Sequence, residues 1–191
     1  MKRMIARFGT IFVAVVLVGL VTPCSAQRIG SSPASPAPAG TTVETIIECG
    51  EGYESHELYD VKIALLETVR GDRAWEMIRA AAPENKMAGG DFEYILARIR
   101  FEYAARGRPG QCGHELKEEE FTAFSPDGRE YDSPSVVPPK PALRGTVHSG
   151  ESLEGWVVFS VPKAESPALI SFGTRQGGGV VHGGDTWFQL R

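Results

Sequence analysis

The sequence predicts an all-β fold, an antiparallel β-sandwich with one short helical or loop insert near residues 73–82. Two stretches support this most strongly, because apolar and polar side chains alternate along residues 92–103 and again along 153–161. A period of two with a charged second face is typical of a strand that has one side in water. Turn residues separate such stretches at intervals of roughly 10–20 residues, as in a sandwich.

The N-terminus has the order of an export signal. Residues 1–7 are basic, residues 8–21 form an apolar run, and the segment TPCSAQ follows. This order predicts a signal peptide over residues 1–26, with cleavage after Ala26. The apolar run is shorter than the roughly 20 residues that a spanning helix needs, so no transmembrane segment is expected in the mature chain. A minority interpretation is a lipid anchor at Cys24, although Pro23 stands where a lipobox has a small residue.

The next segment, residues 27–43, is rich in Pro, Ser, Ala and Gly. Its central part, GSSPASPAPAG, has no large apolar side chain, and its prolines favour an extended chain. Such a composition buries little surface to offset the entropy of ordering. We therefore expect a disordered tether over residues 27–43 and a sandwich domain over residues 44–191.

The first long strand is predicted over residues 58–69. Val61, Ile63, Leu65 and Val69 fall on one face of it, and the Gly71-Asp72 pair ends it. The following residues, RAWEMIRAAA, are helix formers, and Pro83 with the later Gly89-Gly90 pair ends that run. A short helix or a structured loop is expected there.

The remaining elements are predicted as strands. In residues 92–103, Ile95, Ala97, Ile99, Phe101 and Tyr103 share one face, and the charged residues Arg98, Arg100 and Glu102 share the other. Residues 119–132 contain Pro-Asp-Gly at their centre, which predicts a hairpin. In residues 153–161, Leu153, Val157, Phe159 and Val161 share a face. The segments ALISF and TWFQL close the chain.

Composition and charge exclude several classes of protein. The chain has 191 residues, of which 42% are hydrophobic and 23% charged, and this excludes wholesale disorder. Its formal net charge of −4 gives no electrostatic case for a nucleic-acid partner.

The cysteines predict a structural bridge. Cys24 leaves with the signal peptide, so that Cys49 and Cys112 remain as an even pair in an oxidising compartment. A disulfide between Cys49 and Cys112 is therefore expected, in preference to a nucleophilic thiol at Cys112.

No motif for catalysis, metal binding or cofactor binding is found. The histidines, His56, His114, His148 and His182, form no paired ligand spacing, and we expect them to be solvated surface residues. The run Glu118-Glu119-Glu120 is also interpreted as solvated. No catalytic residue, metal ligand or cofactor-binding residue is therefore predicted.

The strands of residues 59–74 and 91–104, the segment GESLEGWVVFSVPKAESPALISF and the final WFQL resemble a known family. The chain is similar to the telokin-like, immunoglobulin-like domain of bacterial exported proteins, domain of unknown function 4352. The resemblance runs from about Tyr53 to the C-terminus. It implies an immunoglobulin-like antiparallel β-sandwich behind an export signal, and it carries over no catalytic residue.

These observations favour an exported, noncatalytic β-sandwich that binds an unknown protein or envelope ligand. Arg98 with Arg100, and the Gly-rich loop of residues 177–184, are the candidate binding surfaces. One alternative is a structural envelope component that acts through oligomerisation. Another is a hydrolase assembled from distant loops, with Cys112, His114 and His182 as its candidate residues.

Overall fold

The computed structural model describes residues 28–49, 57–107, 112–173 and 180–191. In chain order its elements are β1 (Thr42–Cys49), β2 (Glu57–Arg70), α1 (Asp72–Ala81), β3 (Phe92–Ala105), β4 (His114–Leu116), a 3-10 turn (Glu118–Glu120), β5 (Phe121–Phe124), β6 (Glu130–Tyr131), β7 (Gly145–Val147), β8 (Glu151–Pro162), β9 (Ala168–Phe172), β10 (Val180–His182) and β11 (Thr186–Leu190). The predicted signal peptide of residues 1–26, with Cys24 in it, and His56 lie outside the described residues.

Two antiparallel sheets form the sandwich. One has the strand order β10-β1-β2-β3-β8 and the other the order β11-β9-β5-β6, while β4 and β7 form a separate small ladder. All the ladders between these strands are antiparallel. The predicted all-β antiparallel sandwich is confirmed, and the insert predicted near residues 73–82 is α1.

The main core lies between the two sheets. Ile95, Ala97, Ile99, Phe101 and Tyr103 of β3 face it, as their alternation predicted, and they meet Val157, Phe159 and Val161 of β8. The predicted hairpin is also present, since β5 and β6 pair on either side of the Pro126–Gly128 turn. Burial of these apolar rows, at about 25 cal/mol per Å², is the main force that holds the sheets together.

A second, smaller core lies on the outer face of the five-stranded sheet. Helix α1 packs Ala74 and Ile78 there, against Tyr94, Leu96, Trp156 and Val158 from the outward positions of β3 and β8. The helix covers this part of the sheet because the outward positions here are apolar. Further along β3 the outward positions Arg98, Arg100 and Glu102 are charged and lie at the surface.

A β-bulge in β2 corrects one predicted row. Leu65 pairs with Ile99 and Glu67 pairs with Arg98, so Leu66 is an extra residue in the ladder. One inserted residue reverses the facing of all that follow. Leu65 accordingly lies in the main core, whereas Val69 packs under α1 in the outer core. The prediction that Val69 shares a face with Val61 is therefore wrong.

The low-complexity segment also differs from its prediction. Residues 28–41, which we call the N-terminal strap, lie along the edge of β11, and β1 already begins at Thr42. The Trp187 amide donates to the Gly30 carbonyl over 2.8 Å, and the Ala37 amide donates to the Trp187 carbonyl over 2.8 Å. Ala37 is fully buried in the main core. From Arg28 onward the expected disordered tether is therefore a strap of the fold.

The strap is part of the fold despite its composition because it contributes backbone hydrogen bonds more than apolar side chains. An open strand edge leaves N–H and C=O groups without partners, and a chain segment that pairs with it satisfies them. Composition alone does not reveal this, because any residue except proline offers both backbone groups.

The only α-helix in the described ranges is α1, which has ten residues. Across these ranges no helix has both the length and the apolar character to span a bilayer.

Candidate functional site

The predicted disulfide is present. Cys49 at the end of β1 and Cys112 ahead of β4 are bonded, with their Cα atoms 6.4 Å apart. This distance lies within the range that a bridge requires. Cys112 is therefore not the free thiol that the hydrolase hypothesis needs.

His114 is a buried residue, so its prediction as a solvated surface histidine is wrong. It is 3% exposed, and its Nε2 lies 2.9 Å from Oε2 of Glu120, which is 7% exposed. Its ring also stacks on Phe101, with the ring centroids 5.4 Å apart. The prediction that Glu120 belongs to a solvated run is likewise corrected. The 3-10 turn that places Glu120 inward cannot be deduced from three consecutive glutamates.

His182 and His148 are exposed, as predicted for them. Nε2 of His182 lies 2.5 Å from Oε2 of Glu48 on the neighbouring strand β1. The described contacts thus pair His182 with Glu48 and His114 with Glu120, and none of them joins Cys112, His114 and His182 in one site.

The arginine surface is compensated by carboxylates of the same sheet. Arg98 forms ion pairs with Glu154 and with Glu67, and Arg100 pairs with Glu154 over 2.9 Å. The hydrogen bonds from Arg100 and Arg98 lower the pKa of the Glu154 carboxyl. This face therefore presents alternating charges, not the uncompensated positive patch that an anionic partner would need.

The Gly-rich loop is described in part. Residues 177–179 lie outside the described ranges, whereas Gly183 and Gly184 form the turn between β10 and β11. Both have positive φ, 96° and 84°, a conformation that side-chain-bearing residues rarely adopt. This turn forms one wall of a cleft.

The cleft has a volume of about 280 Å³ and lies where β11, the edge strand of one sheet, approaches the part of β1 that β10 leaves unpaired. Three segments form its walls: strap residues 28–31, strand residues 43–46 of β1, and the turn of residues 182–186. Asp60 and Arg106 close its far side and bind each other over 2.6 Å. The volume is at the lower end of ligand-binding pockets.

The strap closes one side of the cleft at Gly30. A Cβ atom placed on Gly30 would lie 2.5 Å from Cγ2 of Val43, so only glycine allows this close approach. Gly30 also has a φ of 79°. The cleft thus depends on a glycine within the segment that composition assigned to a tether.

The interior end of the cleft is polar. Thr45 and Thr186 occupy inward positions of β1 and β11, and both are more than nine-tenths buried. Oγ1 of Thr45 donates to the His182 carbonyl over 3.4 Å, whereas Oγ1 of Thr186 has no hydrogen-bond partner within the described chain. An unsatisfied buried hydroxyl costs about 1–3 kcal/mol, and this one is enclosed by protein atoms, so a ligand in the cleft does not touch it.

Sequence reasoning missed Thr186. The alternation of TWFQL places Thr186 on the face of Phe188 and Leu190, and a hydroxyl at an inward position was the available signal. Its significance depends on the strap and on β1, which lie far away in the sequence.

Larger depressions occur elsewhere on the surface. One of about 390 Å³ lies beside β4 and β7, and Arg144 and Glu118 form an ion pair over 2.7 Å within its lining. Burial raises the pKa of the Glu118 carboxyl. Another of about 370 Å³ lies beside Phe92 and Tyr131. Neither is lined by Gly183 and Gly184 of the candidate binding loop, so the cleft at the β1 edge is the better candidate.

The described residues contain no group of three His, Cys, Asp or Glu side chains that could hold a metal ion.

Comparisons with known proteins give little further guidance. No family model and no curated protein sequence matches the chain. Its fold is similar to the solved structure of YcdA, a candidate lipoprotein of Bacillus subtilis, with a TM-score of 0.48 and 12% sequence identity. The similarity covers 68% of this chain and 36% of that one, so the chain spans about a third of its neighbour's length.

Proposed function

We propose that this protein is an exported, noncatalytic interaction module of the bacterial cell envelope, and that it binds its partner at the cleft beside β1. The observation that carries the proposal is the cleft itself, whose walls are the strap, β1 and the turn between β10 and β11. The resemblance to the exported immunoglobulin-like family remains a prediction that agrees with this function.

Two features support an extracytoplasmic location. The N-terminal order of basic, apolar and small residues is that of an export signal. The disulfide between Cys49 and Cys112 agrees with an oxidising compartment, because bridges seldom persist in a reducing cytosol.

The positions of the reactive side chains favour binding over catalysis. His114 is buried against Phe101 and bonded to Glu120, so no substrate reaches it in this conformation. Cys112 is consumed in the disulfide. A nucleophile needs a general base within hydrogen-bond reach, and these two residues do not supply that arrangement.

The test is site-directed photo-crosslinking in cells that produce the full-length chain. A photoreactive side chain replaces Ile29, which lines the cleft and is 56% exposed, and in a control it replaces Met87, which is 64% exposed and lies outside the cleft. We expect one defined adduct from position 29 that position 87 does not form. Equal adduct patterns from both positions would refute a binding site in the cleft. An adduct with a second copy of the chain would instead support the oligomeric alternative.

A further inference from the structure

The edge of β1 beside the cleft is open for part of its length. On one side β1 pairs with β2 along its whole length, but on the other side β10 pairs with Ile46, Ile47 and Glu48 alone. In the described chain no strand pairs with residues 42–45 on that side. The edge that lines the cleft therefore offers backbone N–H and C=O groups at strand spacing.

The neighbouring edge of the other sheet, at β11, is protected. The strap pairs with β11 through Gly30 and Ala37, which satisfies the edge of the four-stranded sheet. The fold thus covers the β11 edge with its own chain and leaves the neighbouring β1 edge open above a cleft. A covered edge at β11 beside an open edge at β1 is the arrangement expected where a sheet accepts an added strand.

The lining of the cleft favours a neutral, extended ligand. Ile29, Val43 and Ile46 supply aliphatic surface. The charged groups of the lining are largely matched, since Asp60 binds Arg106 and His182 binds Glu48. The lining therefore has little net charge with which to attract a strongly charged ligand.

We propose that the cleft takes an extended peptide segment of another protein, which adds as a short strand to the edge of β1 at residues 42–45. The inference rests on the proposed function and specifies its partner. Peptide backbone groups pair with the strand edge and supply affinity, and an aliphatic side chain of the peptide packs on Ile29.

The test measures binding of a library of short, terminally blocked peptides in which aliphatic and polar residues alternate. Its matched control is the same library with N-methylated amides at every second residue, which removes half of the backbone donors and keeps the side chains. The protein is the purified full-length chain. We expect binding by members of the first library and roughly tenfold weaker binding by their N-methylated partners, because about two backbone hydrogen bonds are lost.

Three variants locate the site. Thr186→Val replaces an enclosed hydroxyl at nearly constant shape, so we expect unchanged peptide binding with a melting temperature equal to or above that of the wild type. Ile29→Asp should abolish detectable binding, whereas Met87→Asp, a matched change of an exposed aliphatic residue outside the cleft, should not alter it.

The outcomes separate this inference from the proposed function. Equal binding of the two libraries would overturn strand addition, and unchanged binding by Ile29→Asp would overturn the placement of the peptide in the cleft. If no peptide binds while the adduct from position 29 persists, the partner is not an extended peptide and the cleft remains a binding site. Loss of both peptide binding and the adduct would overturn the function and the inference together.

Discussion

Phe159 and Arg98 lie on the paired strands β8 and β3, but their side chains are on opposite faces. Phe159 is 3% exposed in the main core, so we expect Phe159→Ala to lower the free energy of unfolding by about 3–5 kcal/mol. Arg98 is partly exposed and its ion pairs with Glu154 and Glu67 are at the surface, so Arg98→Ala should cost at most about 0.5 kcal/mol. Denaturant titration checks both values, and equal losses would contradict this assignment of faces.

The buried tyrosines predict a loss of stability at high pH. Tyr59 stacks on Tyr103, with ring centroids 4.3 Å apart. Burial, with a hydrogen bond to Glu57, raises the pKa of Tyr59 to about 12, and burial also raises the pKa of Tyr103. Since the folded protein holds Tyr59 protonated, its contribution to stability is fully present below the ordinary value of 10.0. That contribution is lost as the pH rises from there through about 12.

Ultraviolet titration of the tyrosines measures this shift directly. We expect a fraction of the phenols in the folded protein to ionise later than the rest, and all of them to ionise together in urea. Tyr59→Phe should remove part of the late fraction. A single ionisation step near the ordinary pKa in the folded protein would contradict the burial of this pair.

At the scale of elements, the strap predicts a contrast between two alanines of one segment. Ala37 is fully buried and Ala39 is exposed, two residues further along the same Pro-rich segment. Ala37→Glu places a carboxylate in the main core, so it should lower the melting temperature by several degrees or more, whereas Ala39→Glu should leave it nearly unchanged. Differential scanning calorimetry checks this pair. A disordered tether would tolerate both changes equally.

The bulge in β2 has two consequences for the packing of this strand. By adding Leu66 to the ladder, it turns the first half of β2 toward the main core and brings Val69 under α1. The same strand therefore contributes to both cores. Without the extra residue, the apolar positions of its second half would lie on the face away from the helix.

For the whole molecule, the disulfide joins segments that are 63 residues apart in sequence. Chain entropy puts such a cross-link at about 4 kcal/mol, a large part of a typical domain's stability. Cys49→Ser with Cys112→Ser should therefore lower the midpoint of denaturant unfolding markedly. Thiol titration of the unfolded, unreduced full-length chain should find at most the one thiol of Cys24, and three free thiols would contradict the bridge.

The sequence alone determined the class of fold and most of its strands. Alternation along β3 and β8 needs only local geometry, because successive side chains of a strand point to opposite faces. For the same reason the helix formers of α1 and the Pro-Asp-Gly turn could be placed without tertiary information. The Cys49–Cys112 bridge could be predicted because the export signal indicates an oxidising compartment and leaves an even number of cysteines.

The tertiary structure decided the strap, the facing of Val69, the burial of His114 and the cleft. Each of these depends on which distant segment lies alongside. Oγ1 of Thr45 meets the carbonyl of His182 across 137 residues of sequence, and the strap meets β11 from the opposite end of the chain. Periodicity and composition report the local preference of a segment, whereas a sheet edge and the cleft beside it exist only after non-local strands have paired.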